Sequence, residues 1–219
     1  MIACLYSGGK DSTLALHRAV EQKIKPGLLI TFVSENPYSY MFHRPDVEFT
    51  SLQAEALGIE HVFAKTKGEK EKELVDLEYA LKENNVSTLI TGAVASTYQR
   101  SRIQSLCDKL GIRHVALIWG IDPLKELKEI AAKYEAIIIG VSAQGFDETL
   151  LGARIDEDII KKLLELQERH KINLSFEGGE AESFVLKAPL FKKKIIIKRA
   201  HKVWTGTAGT FIIDDAYLE

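Results

Sequence analysis

Cysteine is scarce. Cys4 and Cys107 are the only two in 219 residues, and they form no CxxC pair, so neither a disulfide framework nor a cysteine zinc site is expected. The six histidines are scattered, without the HxH or HExxH spacing that would gather them around a metal. No apolar run approaches the ~18 residues that a membrane-spanning helix needs. The opening MIACLYSGG lacks the basic stretch of a signal peptide. A cytoplasmic chain with no membrane partner is therefore expected. A formal net charge of −2 supplies no cationic excess, which argues against bulk nucleic-acid binding, and no direct nucleic-acid contact is expected. With 46% hydrophobic and 27% charged residues, the composition is that of a folded globular chain. Lys and Glu outnumber Arg and Asp, a bias that hints at a thermophilic source.

What is present is an alternation of strand and helix patterns. Short apolar runs stand at IACLY (2–6), GLLITFV (27–33), HVFAK (61–65), TLITG (88–92), HVALIW (114–119) and AIIIGV (136–141). Helical periodicity follows them, at Leu14, Leu16, His17 and Val20 and near 46–57, 69–84, 98–110 and 123–133. Continuous apolar strands separated by helices predict an α/β fold, a parallel twisted sheet with helices on both faces. All strand C-terminal ends then lie along one rim. After a helix at 156–170 the pattern changes to SFVLKAPLF, KKKIIIKRAHKVW and GTFIID, a smaller β-rich α+β unit. The expected division is 1–145 for a nucleotide-binding domain and 146–219 for a substrate-binding domain.

Between the first strand and first helix lies SGGKDS, residues 7–12. A glycine loop opening a helix favours anions, because its N–H groups and the positive end of the helix dipole converge there. It is not a Walker A loop, which would need Gly at position 4 and Ser or Thr at position 11, where Cys4 and Asp11 stand. The plainer alternative is a tight turn capped by Asp11 or Ser12. Against it stands Lys10, a cation at a helix start, unfavourable there unless an anion is bound.

SGGKDS resembles the SGGxDS pyrophosphate-binding loop of the N-type ATP pyrophosphatases, in which ATP is split between its α and β phosphates. Ser7, Gly8, Gly9, Asp11 and Ser12 match the motif and Lys10 occupies its variable position. The resemblance implies that this loop, Lys10 included, holds the β and γ phosphates as a leaving group, with Asp11 a catalytic residue and the ligand of Mg²⁺. Three further strings, SENPYSYMFHRPD (34–46), GAVASTYQRSRIQSLCDKLGI (92–112) and FEGGEAESFVLKAPLF (176–191), together with LIWGIDP (117–123), are similar to the diphthine–ammonia ligases. Those enzymes amidate diphthine to diphthamide on elongation factor 2. The resemblance runs over nearly the whole chain, and its length suits a minimal archaeal-type member. It implies adenylation of a carboxylate, release of pyrophosphate, and attack by ammonia taken as ammonium from solution. Tyr40, His43, Tyr98, Gly178, Gly179, Glu180 and Glu182 fall in these strings and are expected to bind substrate.

Each string also has a physical reading. Ser96 or Thr97 can cap a helix, which puts Arg100 and Arg102 near its first turn, where the dipole disfavours cations. A bound anion, an ATP phosphate or the diphthine carboxylate, would explain both, and a solvated helix start is the alternative. Glu177, Glu180 and Glu182 crowd a glycine pair and suggest a cationic partner, unless the segment is an ordinary acidic turn. Glu180 is the residue expected to orient ammonium and take its proton. Tyr38, Tyr40 and Phe42 are either an aromatic cage or packing. Thr31, Phe32 and Gly92 end rim-side strands, where close backbone would suit an adenine. Trp119 either stacks on substrate or belongs to the core. Asp122 before Pro123 is an N-cap. His17 and His114 are expected to be structural. Seven Lys or Arg with no acid between Ser183 and Ile213 form either a docking face or edge-strand gatekeepers.

Two competing functions are a tRNA-modifying adenylating enzyme, which would want reactive cysteines, and a non-catalytic ATP-binding module, which would not need Arg100, Arg102 or the acidic cluster. A homo-oligomer is left open.

Overall fold

A computed structural model describes residues 1–35, 46–69 and 72–219 of the chain. Strands β1 (Ile2–Leu5), β2 (Leu28–Ser34), β3 (Glu60–Thr66), β4 (Thr88–Ile90) and β5 (Arg113–Val115) form a parallel sheet in the order β3-β2-β1-β4-β5. The order reverses at β1, so the loop after β1 lies at the topological switch point, where open α/β sheets bind ligands. Helices α1 (Lys10–Glu21), α2 (Thr50–Leu57), α3 (Glu73–Glu83) and α4 (Thr97–Leu110) connect the strands. Alternate strand residues enter different cores. Ala3, Leu28, Ile30 and Leu89 pack with Leu77 and Leu81 of α3 and Ile103 and Cys107 of α4. Cys4, Leu29 and Ile90 pack with Leu14 and Leu16 of α1 on the other face. Both faces are buried at β1, β2 and β4, which is why these central strands are largely apolar, while the edge strands β3 and β5 carry exposed polar residues.

A second, antiparallel sheet contains β6 (Glu135–Val141), β7 (Ala181–Lys187), β8 (Ile195–Trp204) and β9 (Gly209–Leu218), in the order β7-β6-β9-β8. Helices α5 (Pro123–Lys133) and α6 (Glu157–His170) accompany it. Here the structure corrects the expectation. AIIIGV was expected to extend the parallel sheet, but β6 pairs antiparallel with β7 and β9. The change of sheet therefore falls between Val115 and Glu135, ahead of the expected division at 145. The physical reason is that a strand buried on both faces has the same apolar pattern in either sheet. The expected HVALIW strand also stops at Val115, and Ala116–Gly120 turn instead, with the Gly120 N–H donating to the Val94 carbonyl at 2.9 Å.

The cationic strand β8 meets the acids of β9. Lys198 pairs with Asp215 at 3.3 Å and Arg199 with Asp214 at 3.7 Å, while Lys194 reaches Glu135 of β6 at 2.9 Å. Three of the run's seven cations are thus paired with acids of the sheet.

Asp46 ties the segment before α2 to this sheet. Its Oδ1 accepts the Ile213 N–H at 2.9 Å, while its buried Oδ2 has no hydrogen-bond donor among the described residues. Burial, opposed by the Ile213 bond and reinforced by Glu48 and Asp214, pushes its pKa up to about 6. A carboxyl with a raised folded pKa favours the fold when protonated, so stability falls as pH rises from about 4 through about 6. Asp46→Asn keeps the acceptor and suits the left-handed backbone at φ 57°. It is expected to raise the melting temperature at pH 8 and leave it unchanged at pH 4. Equal shifts at both pH values would refute the linkage.

Candidate active site

The SGGKDS loop is held at both ends by its serines. Ser12 Oγ donates to the Gly9 carbonyl at 3.2 Å and accepts from the Ser7 N–H and hydroxyl at 3.3 and 3.2 Å. Helix α1 starts on Gly9 with no side-chain cap, so the expected alternative of Asp11 or Ser12 as N-cap is not realised. The carbonyl of Gly8 points away from the rim and accepts from the Val185 N–H at 3.0 Å and Gln53 Nε2 at 2.9 Å. Gln53 also donates to the Val185 carbonyl at 2.7 Å, and the Lys10 N–H donates to Ser183 Oγ at 3.1 Å. Strand β7 of the second sheet thus forms the back wall of the loop. Gly8 has φ 77°, and a Cβ there would lie 2.4 Å from Gln53 Oε1, so this position needs glycine for conformation and for space.

Lys10 departs from expectation. Its side chain is fully buried and its ammonium turns beneath the loop rather than toward the rim. It bonds Asp11, Glu126 Oε1 at 3.1 Å and the Ser175 carbonyl at 3.0 Å, and lies 5.2 Å from the Phe176 ring centroid. Burial opposes the ammonium, but the attraction of Asp11 and Glu126 outweighs it and raises the pKa. Glu126 is wholly buried as well, and its Oε2 meets no donor among the described residues. Burial and the neighbouring Asp11 charge push Glu126 up to about 9.

At the ends of β2 and β4 the side chains are engaged within the fold. Thr31 Oγ1 donates to the Tyr6 carbonyl at 2.7 Å and so accepts from His61 Nε2 at 2.8 Å. Phe32 is buried against the α3 and α4 side of the sheet. If these residues meet an adenine, it is by backbone. Gly92 is required by packing, since a Cβ there would lie 2.8 Å from the Ser12 N atom. The glycine lets the loop before α4 rest on the first turn of α1.

Helix α4 is capped by Ser96, which accepts from the Gln99 N–H at 3.3 Å. Arg100 lies over the Trp119 ring, 4.4 Å from its centroid, and Arg102 over Tyr98 at 4.2 Å. Trp119 is half-buried rather than a core residue, and it carries a cation on its face. His114 bonds Thr91 Oγ1 at 2.8 Å and Gln104 Oε1 at 2.9 Å, and His17 bonds the Tyr134 hydroxyl at 2.6 Å, both within the fold. Asp122 caps α5 by accepting from the Lys125 N–H at 2.8 Å.

The acidic turn is more structured than its composition suggests. Glu177 Oε1 accepts from the Val94 and Ala95 N–H groups at 3.0 and 3.3 Å, joining the turn to the loop before α4. Glu180 Oε1 accepts from the Asn173 N–H at 3.0 Å and Oε2 from the Gly178 N–H at 2.8 Å. Both oxygens of Glu180 thus brace its own turn, a structural part beside the expected one of orienting ammonium. Gly179 supplies the left-handed residue, φ 80°, and Gly178 is exposed beside it. Glu182 faces Gly140 of β6 across the sheet. Tyr38, Tyr40, Phe42 and His43 lie outside the described residues.

Four positions escaped sequence reasoning: Gln53, Glu126, Glu177 as a bridge, and Ser183. Glu126 had a faint signal, an acid one turn before buried Ile130 on the inward face of α5. Gln53 and Ser183 had none, since each acts on a carbonyl or N–H brought near only by folding. Neither cysteine suits sulfur chemistry. Burial pushes the thiols of Cys4 and Cys107 up, the latter to about 11. Among the described residues no group of three or more His, Cys, Asp or Glu is arranged to hold a metal, and no helix is long and apolar enough to cross a membrane.

A glycine loop at the switch point of a parallel sheet, opening a helix without a side-chain cap, puts this chain among the open α/β proteins, whose anion sites fall at that place. The particular family follows from comparison. Profiles for the diphthamide synthase N-terminal and C-terminal domains match residues 1–114 and 122–218, so the chain belongs to the diphthamide synthase family. Curated relatives agree. The diphthine–ammonia ligase of Rattus norvegicus is 31% identical over 92% of this chain and 84% of its own length. That of Bos taurus is 32% identical over 96% and 87%, and that of Homo sapiens 30% over 92% and 84%. The two profiles divide where the sheets do, between β5 and α5.

Proposed function

We propose that this chain amidates diphthine to diphthamide on elongation factor 2, using ATP and ammonia. The observation that carries the reading is the meeting of two distant segments, the SGGKDS loop and the acidic turn with its following strand, through Lys10, Ser175 and Ser183. In the reaction a carboxylate oxygen of diphthine attacks the α phosphorus. The bond between that phosphorus and the bridging oxygen breaks, and pyrophosphate leaves. Ammonia then attacks the acyl carbon, the bond to the AMP oxygen breaks, and the nitrogen gives up a proton.

The uncapped start of α1 suits the charge that grows on departing pyrophosphate, because N–H donors aimed at developing charge stabilise it. Magnesium is commonly held by one or two carboxylates together with substrate phosphates, and would neutralise phosphate charge. Asp11, whose side chain is 24% exposed beside the loop, has the oxygen chemistry to hold it. Arg100 and Arg102 are proposed to meet an anion of either substrate, and Tyr98 to line the approach.

With diphthine-bearing elongation factor 2, ATP, Mg²⁺ and ammonium, the expected products are AMP, pyrophosphate and a modified histidine whose carboxylate has become a carboxamide. Mass spectrometry of that peptide and separation of AMP from ADP check both. ADP as the main product would refute the chemistry, and an unchanged peptide would refute the substrate.

A further inference from the structure

We infer that Lys10 is a strut rather than a phosphate ligand, and that Glu126 is the positioning residue that holds it there. The sequence position of Lys10 invites the opposite view, since it stands among glycines at a helix start. Its atoms decide otherwise. The main chain of Lys10 belongs to the loop, while its ammonium lies with Glu126 on α5 and the Ser175 carbonyl ahead of the acidic turn. One side chain thereby ties three elements together: the start of α1, the start of α5 and the segment leading to Glu177 and Glu180. The side chains of Lys10 and Glu126 are both wholly buried, and the Phe176 ring lies against the ammonium. A group packed in this way cannot reach a phosphate on the rim without leaving a buried carboxyl behind it.

The strut has a functional consequence, which rests on reading the loop as an ATP site. The Lys10 N–H bonds Ser183 and its ammonium bonds the turn region, so loop position and turn position are linked through one residue. Glu126 touches neither expected substrate and acts only through Lys10.

A double-mutant cycle separates strut from ligand. Breaking a buried pair is costly, whereas replacing both partners by apolar residues is often neutral. Lys10→Met should weaken ATP and pyrophosphate binding, measured by calorimetry, by at least ~10-fold, and lower the melting temperature. Lys10→Met with Glu126→Leu should return both toward wild type, to within ~3-fold in affinity. Glu126→Gln, whose amide oxygen still accepts from Lys10, should bind ATP like wild type, whereas Glu126→Leu should not. A double variant that binds as weakly as Lys10→Met would overturn the inference, because a lost phosphate ligand cannot be restored from position 126. If the unmodified protein binds neither ATP nor pyrophosphate, the functional reading fails. Rescue of the melting temperature in the double variant would still establish the strut, and its absence would refute it.

Discussion

Asp11→Ala is expected to remove AMP release almost completely, by a factor on the order of 10² or more, while the protein stays folded. Asp11 is the acid in the first turn of α1, and that turn already has its start on Gly9. Capping is therefore not what the carboxylate does for the helix. Loss of its interaction with the dipole costs about 0.3–1 kcal/mol. Lys10 keeps Glu126 and the Ser175 carbonyl when Asp11 is removed, so the strut beneath the loop survives. What disappears, on the proposed reading, is the oxygen ligand that Asp11 offers to magnesium beside the loop. AMP release and thermal melting measured on the same preparation decide the matter. Near-normal turnover with a small melting shift would reduce Asp11 to a helix-start acid, and a collapse of the fold would make it a structural partner of Lys10.

Glu180→Gln is expected to impair adenylate formation and amidation together, equally at every pH. The glutamine keeps one acceptor oxygen but replaces the other with a donor that faces an N–H group, either Asn173 or Gly178. A hydrogen bond to a charged group contributes about 1.5–3 kcal/mol, and the half-exposed position puts this one toward the lower end. The turn then loosens. It holds Glu177 on the Val94 and Ala95 N–H groups, and with them the loop that packs by Gly92 on α1. Rapid-quench measurement of AMP and amide, with hydrogen exchange over 173–180, follows both effects. A base that deprotonates ammonium would behave differently: adenylation would continue, amidation alone would fail, and higher pH would restore it.

The contrast between Asp11 and Glu180 shows how far residue type alone carries a reading. Both are acids beside glycines in a motif. Asp11 keeps a partly exposed side chain at an uncapped helix start, whereas both oxygens of Glu180 are taken by backbone N–H groups of its own turn. Lys10 makes the same point for cations: its place in the loop is evident from the motif, but the direction of its side chain is set by α5, more than a hundred residues away. The arginines of α4 were expected to mark an anion site, and what the fold adds is the aromatic face beneath each, Trp119 and Tyr98.

By itself the sequence determined the local elements and the family. Helix starts at Ser96 and Asp122 follow from capping chemistry that acts over three residues, and the apolar strands follow from burial on both faces. SGGKDS placed after the first strand, with the acidic glycine turn and STYQRSR, is a pattern of neighbours that needs no three-dimensional knowledge to be read. Only the tertiary structure decided which sheet β6 joins, that β7 walls the phosphate loop, that Gln53 and Ser183 hold its backbone, and that Lys10 turns inward to Glu126. The reason is range. Capping and periodicity are set by bonds between residues a few positions apart, whereas a buried ion pair or a shared carbonyl depends on which distant surfaces the core brings within 3 Å or so of each other, the length of a hydrogen bond.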